Sequence, residues 1–192
     1  METRARQLNH YKDFIKNNPE GSYKTVGWGK KETQQVCYDS ILKMINVTDS
    51  PKILDVGCGC GYMAIDGIDI LPEMIDIAKK KYPSGHYEVS DIMTYKPKKQ
   101  YDYMIAVGTF NVSTGEPLDD YMELFKAVER MWALSKKGVV INCLRNDIHV
   151  QPKHKDLSYR NWRQWAEIFF GRYSPHIKIE IVDHTFTLGV FK

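Results

Sequence analysis

The sequence predicts an α/β fold, a doubly wound and mostly parallel sheet with an antiparallel C-terminal hairpin strand. Three observations predict it. Short apolar runs of strand length alternate with stretches whose apolar residues recur at helical spacing. The run Ile53 to Val56 leaves directly into the glycine-rich segment Gly57-Cys58-Gly59-Cys60-Gly61, as a buried strand does when it opens into a ligand loop. The last two apolar runs, Ile177 to Val182 and Phe186 to Phe191, are separated only by Asp183-His184-Thr185, a connection that suits a hairpin and is too short for a parallel crossover.

Each element follows in order. Leu8, Tyr11, Phe14 and Ile15 mark an amphipathic helix that ends before Asn17-Asn18-Pro19, and Val36, Ser40, Ile41, Met44 and Ile45 mark a second. Ile53 to Val56 is a buried strand, and Gly67-Ile68-Asp69-Ile70 is a second short apolar segment. Pro72 suits the first turn of a helix reaching about Tyr82, with Glu73 at its positive end. Tyr87 to Val89 and Asp102 to Val107 read as strands. Pro117 opens a long helix with Leu124, Phe125, Val128, Met131 and Trp132 on its apolar face, which Gly138 is expected to end before a strand from Val139 to Leu144. Trp162, Trp165, Ala166, Phe169 and Phe170 give the last helix.

The 192 residues suit one domain, 1–192, with residues 1–48 as an N-terminal helical cap region. A formal charge of +3 with scattered Lys and Arg argues against a nucleic-acid partner, and no run reaches membrane-spanning length. Cys37, Cys58, Cys60 and Cys143 show neither Cys-x-x-Cys nor disulfide-framework spacing, and no Asp/His set has metal-ligand spacing, so a reduced, cytoplasmic protein without a metal is expected.

Glycines leaving a strand let backbone approach a ligand closely, because no Cβ intervenes. Two acids follow in order. Asp69 ends the second apolar segment and is suited to accept hydrogen bonds from ribose hydroxyls; Asp91, after the next strand, is suited to accept from an adenine amine with Ile92 against the ring. With these residues in place, the chain resembles the class I S-adenosylmethionine (SAM)-dependent methyltransferases, a Rossmann-like family. Asp55-Val56-Gly57-Cys58-Gly59-Cys60-Gly61 resembles their first motif. Gly67 to Met74 resembles their ribose-binding segment, and Ser90-Asp91-Ile92 their adenine-side motif. The resemblance implies SAM as cofactor, with Asp55, Gly57, Gly59 and Gly61 toward its methionine moiety, Asp69 on ribose, Ile70 and Met74 near adenine, and Asp91 with Ile92 at the adenine edge. Val26-Gly27-Trp28 and Gly108-Thr109-Phe110-Asn111 resemble a bacterial and archaeal subgroup of small-molecule methyltransferases.

One spacing conflicts with the family pattern. Parallel neighbouring strands need a crossover of about 10–12 residues or more, usually a helix. Here only Tyr62 to Ile68 separate Gly61 from Asp69. Three accounts fit. A crossover segment of about 10–15 residues belongs near Met63 to Ile65 and is missing; or the protein is deleted there, with an altered strand order and a damaged site; or Asp69 is not a ribose ligand.

The expected reaction is methyl transfer to an O or N atom of a small molecule. The family members that methylate amino groups of nucleic-acid bases commonly carry an Asp/Asn-Pro-Pro-Tyr type motif after the fourth strand, where this chain has Gly108-Thr109-Phe110-Asn111. Tyr11, Trp28 and Asn111 are candidate acceptor-side residues. His10, Tyr11, His149, His154 and His184 are available as a base, and no motif singles one out. A non-catalytic binding protein on the same fold is the alternative. An NAD-dependent oxidoreductase is a weaker one: Gly59-x-Gly61-x-x-Ala64 matches a relaxed dinucleotide fingerprint, but the acid expected about 20 residues on is absent. Asp69→Ala is expected to weaken cofactor binding with little effect on folding. The oligomeric state is unassigned.

Overall fold

The computed structural model describes residues 2–45, 47–147, 149, 152 and 154–192, with side chains from residue 5 onward. Seven strands form one sheet: β1 (Ile53–Val56), β2 (Asp66–Asp69), β3 (Tyr87–Val89), β4 (Tyr101–Val107), β5 (Ser135–Leu144), β6 (Ile177–Val182) and β7 (Thr185–Phe191). Their order is β3-β2-β1-β4-β5-β7-β6. Strands β1 to β5 pair in parallel, and β7 runs antiparallel between β5 and β6. This is the predicted doubly wound sheet with its antiparallel hairpin.

The helices are α1 (Glu2–Asn17), α2 (Lys31–Met44), α3 (Pro72–Lys81), α4 (Pro117–Leu134) and α5 (Trp162–Arg172). Alternation along β4 assigns four of them to faces, because successive strand residues point to opposite sides. Tyr103, Ile105 and Val107 pack with Cys37, Tyr38 and Ile41 of α2. Met104 and Ala106 pack with Leu124, Val128 and Met131 of α4 and Trp165 and Phe169 of α5. Asp55, Gly67 and Tyr87 lie in register with Ile105 across neighbouring strands, so they share the α2 face. Ile75 and Ala78 of α3 meet Tyr87 there. The central strands are covered on both sides, which is why β4 and β5 read as near-continuous apolar runs.

Gly138 does not end α4. The helix stops at Leu134 and β5 begins at the next residue, with an irregular register against β4 between Tyr101 and Tyr103. Gly138 sits inside the strand because a Cβ there would run into the Val190 carbonyl of β7. Its signal is a close backbone approach.

The short crossover closes without altering the strand order, which removes that part of the deletion account. The return draws on all nine residues from 57 to 65. Gly57 N and Cys58 N already bond the Ile68 carbonyl at the end of β2 (2.7 and 3.0 Å), and turns closed by Gly61 N to Cys58 O and Ala64 N to Gly61 O carry the chain back. Tyr62, Met63 and Ile65 then pack against the α2 cluster. The Tyr62 ring stacks on Tyr38 at 4.7 Å between centroids. Side chains of the crossover thus fill the space between α2 and α3. The tight path places Ala64, which is exposed, at φ +54, a left-handed conformation that costs an L-residue about 1–2 kcal/mol. Ala64→Gly is expected to raise stability by up to about 1 kcal/mol, after allowing for the greater freedom of glycine in the unfolded chain. Denaturant titration at fixed m-value checks it.

Candidate functional site

The carboxyl ends of β1, β2 and β4 open into one cavity of about 1870 Å³. A small-molecule pocket more usually encloses about 300–1,000 Å³, so there is room for two ligands side by side. Its floor includes Gly57 and Gly59; Asp69, Ile70 and Met74 line one end with Asp91 and Ile92. Tyr11 of α1, Trp28 and Asn111 line the same cavity. Ten of the twelve residues singled out from sequence therefore line one cavity. Asp55 and Gly61 do not reach it. Asp55 lies beneath the loop, and a Cβ on Gly61 would press on Tyr87 and Ala78 of the packed layer.

Local sequence explains the loop's shape. Gly57, Gly59 and Gly61 all take positive φ (+73, +52 and +74°). A Cβ on Gly57 would overlap Thr109, whose hydroxyl is tied to the Val56 carbonyl at 2.8 Å. The post-β4 segment is therefore pressed directly onto the glycine turn.

Asp69 does two things. Its carboxylate accepts from Gly59 N and from Leu71 N, both at 2.9 Å, so it ties the glycine loop to the start of α3 while facing the cavity. Burial raises its pKa, opposed by those two backbone bonds. The sequence-based expectation that Asp69→Ala would spare folding is revised on this geometry.

Asp55 is only 1% exposed, takes one long hydrogen bond from the Tyr38 hydroxyl (3.4 Å), and leaves Oδ1 without a partner. Burial pushes its carboxyl up to about 8, partly offset by the Tyr38 bond. Below about pH 4 the folded and unfolded chains both hold this proton. Between about 4 and 8 the unfolded carboxyl ionises while the folded one does not, so stability falls as pH rises, and above about 8 the loss is complete. Asp55→Asn is expected to flatten that part of the stability–pH curve, measured by urea unfolding at pH 5, 6.5 and 8.

Helix α1 lies across the cavity. Leu8, Tyr11 and Ile15 pack on Cys60, Leu71 and Met74 at one side. Gln7 Nε2 reaches the Val112 carbonyl and Glu123 Oε2 at the other, both at 2.9 Å. Trp28 stands over Gly108, where an added Cβ would come within 3.1 Å of its ring. Asn111 Oδ1 accepts from Leu144 N at 3.0 Å, which joins the post-β4 loop to the end of β5. Of the cavity-lining histidines, His184 has a carboxylate partner, Asp183 Oδ2 at 2.8 Å from Nδ1, whereas His10 meets the rings of Tyr11 and Phe14 and His154 is exposed. His149 is exposed and outside the cavity lining. Sequence reasoning missed Thr109, Tyr38 and Glu123 as site residues. Thr109 lies in the Gly108-Thr109-Phe110-Asn111 segment, but its contact with Val56 and Gly57 is packing that the segment does not reveal; Tyr38 belongs to the packing of α2, and Glu123 is one acid within an amphipathic helix.

No protein-family model matches the chain. Malonyl-[acyl-carrier protein] O-methyltransferase 1 of Ilyobacter polytropus is 36% identical over 88 aligned positions, covering 38% of this chain and 31% of the relative. The malonyl-[acyl-carrier protein] O-methyltransferase of Acetivibrio thermocellus is 30% identical over 94 positions, with 41% and 33% covered. The matched segment thus spans about a third of the length of these relatives. In the first case 38% of 192 residues is about 73, so about 15 of the 88 aligned positions have no residue here; the second gives the same difference. Among solved structures, magnesium protoporphyrin IX methyltransferase from Synechocystis PCC 6803 with bound SAH superposes with a TM-score of 0.70 at 13% identity over all of both chains. The DhpI-SAM-HEP complex gives 0.69 at 12% identity, over 100% of this chain and 98% of that one. The chain thus shares the fold of these methyltransferase structures, and a segment of it is similar to two O-methyltransferases.

Proposed function

We propose that this protein is a SAM-dependent methyltransferase acting on an O or N atom of a small molecule. The observation that carries the reading is the convergence of Gly57, Gly59, Asp69, Ile70, Met74, Asp91 and Ile92 on one cavity with Tyr11, Trp28 and Asn111. The residues fit the cofactor. Asp69 keeps acceptor capacity on both oxygens beyond its two backbone bonds, and exposed Ile70 with buried Ile92 offers apolar surface for a purine. When bound, SAM supplies an electrophilic methyl group on a sulfonium. The protein's part is to hold donor and acceptor in line, which in favourable cases is worth about 7–11 kcal/mol. Where the acceptor must lose a proton, His184, held by Asp183, is the histidine best placed to take it. We read residues 1–192 as one such domain, with 1–48 as its helical cap region, working in the cytoplasm. Among the described residues no helix is long and apolar enough to cross a membrane.

A second reading, a binding protein without catalysis, is favoured by one observation. The amides of Gly57, Cys58 and Gly59 are spent on Ile68 and Asp69 of β2 and do not face a ligand. Calorimetry with SAM, SAH and NAD separates the readings. Binding of SAM and SAH with turnover supports the enzyme, binding without turnover on any acceptor supports the second reading, and affinity for neither rejects both.

A further inference from the structure

We infer that Glu123 selects the acceptor, and that the acceptor is an amine that enters as its ammonium. The inference rests on the methyltransferase reading. Glu123 projects from α4 into the shared cavity and is half-buried. Gln7 Nε2 holds its Oε2 at 2.9 Å, which fixes the carboxylate, and among the described residues Oε1 has no hydrogen-bond partner. Among the described residues no Lys, Arg or His comes within ion-pair distance of it. Lys126, one turn on and exposed, lines the cavity but makes no ion pair with Glu123. A carboxylate held in place, partly desolvated and lacking a cation calls for a cationic ligand, because burying it unpaired is costly.

The surroundings agree. Tyr11, beside Glu123, has its phenol raised well above the usual range by burial, then by Asp69 and Glu123, and both of those charged neighbours are anions. Among the described residues no arginine lines the cavity, so the bidentate group best suited to grip a carboxylate acceptor is missing, and the lining lysines, Lys30, Lys31, Lys81 and Lys126, are all exposed. The rings of Tyr11, Phe14 and Trp28 line the same space and are suited to the face of an ammonium. Asp156, also a liner, is already paired with Arg6. For transfer, the ammonium gives up one proton, to His184 or to water at the mouth. The freed lone pair then forms the N–C bond as the C–S bond breaks, its electrons remaining on sulfur as the thioether.

Glu123→Gln tests the charge alone, since the amide oxygen can still accept from Gln7 and keep α1 docked. The probes are 2-phenylethylamine, phenylacetate and 2-phenylethanol, titrated by calorimetry into wild type and variant, with and without saturating SAH. The wild type is expected to bind the amine at least about tenfold more tightly than the other two, the smallest difference expected of a hydrogen bond between charged groups. Glu123→Gln should erase that preference, leave SAH affinity unchanged and leave thermal unfolding within error. Equal affinities, a preference that survives the substitution, or binding of none of the three overturns the inference. So does a change confined to the ratio of SAM to SAH affinity, which would assign Glu123 to the sulfonium. Failure of SAH to bind wild type defeats the methyltransferase reading itself, and is seen in a separate titration.

Discussion

Asp69→Ala is expected to lower stability by about 2–3 kcal/mol and to weaken SAH binding by about tenfold to a hundredfold, the two losses arising from one carboxylate. The stability loss comes from Gly59 N and Leu71 N, which both donate to Asp69. Gly59 lies in the tight turn and Leu71 is the residue before the first turn of α3, so truncation releases both ends of the β2 exit at once. Water can replace part of this, because Asp69 is not fully buried, which keeps the cost below that of two fully orphaned donors. The affinity loss comes from the oxygens that face the cavity. Asp69→Asn separates the two effects. It keeps one acceptor oxygen and removes the charge, so it should recover part of the stability and little of the affinity. Urea unfolding and calorimetry on the same preparations check both. An alanine variant as stable as wild type would show that the backbone bonds are replaced by solvent at no cost.

Gly57→Ala is expected to be the more damaging substitution, at about 2–5 kcal/mol, because two independent penalties coincide. The φ of +73° costs an L-residue on its own, and the new methyl overlaps Thr109. Thr109→Ser, which keeps the hydroxyl bonded to Val56 and removes the methyl, should relieve part of the overlap and none of the backbone cost. The double variant should therefore be more stable than the sum of the single changes predicts, a coupling measurable by thermal or urea unfolding. Strict additivity would mean that Thr109 moves aside freely and that conformation alone makes the position glycine.

Much of the architecture was legible because local and global signals agree in it. Pro72 and Pro117 open α3 and α4 where the sequence places them, and the buried central strands are plain apolar runs. Gly138 was misread because a glycine needed to admit a neighbouring carbonyl looks in sequence like one that ends a helix. The cavity residues that follow strands β1 to β4 were legible through their order along the chain. Asp55 is not among the cavity-lining residues: a residue near the end of a strand points to one face or the other, and this one is buried against the Tyr38 hydroxyl. Glu123 was illegible for another reason. Its role depends on Gln7, 116 residues away, which holds the carboxylate toward the cavity.

The nine-residue connection between β1 and β2 bears on how this protein gains its shape. Closing a loop costs entropy that grows only with the logarithm of its length. A nine-residue connection therefore costs a little under about 1 kcal/mol less to close than one carrying a crossover helix of about 15 further residues, before any stiffness in the shorter segment is counted. Two parallel strands that would otherwise meet only after a helix had formed can here find each other within a single turn-rich stretch. Pairing of β1 with β2 becomes a local event in folding, and the rest of the sheet has an early edge on which to assemble.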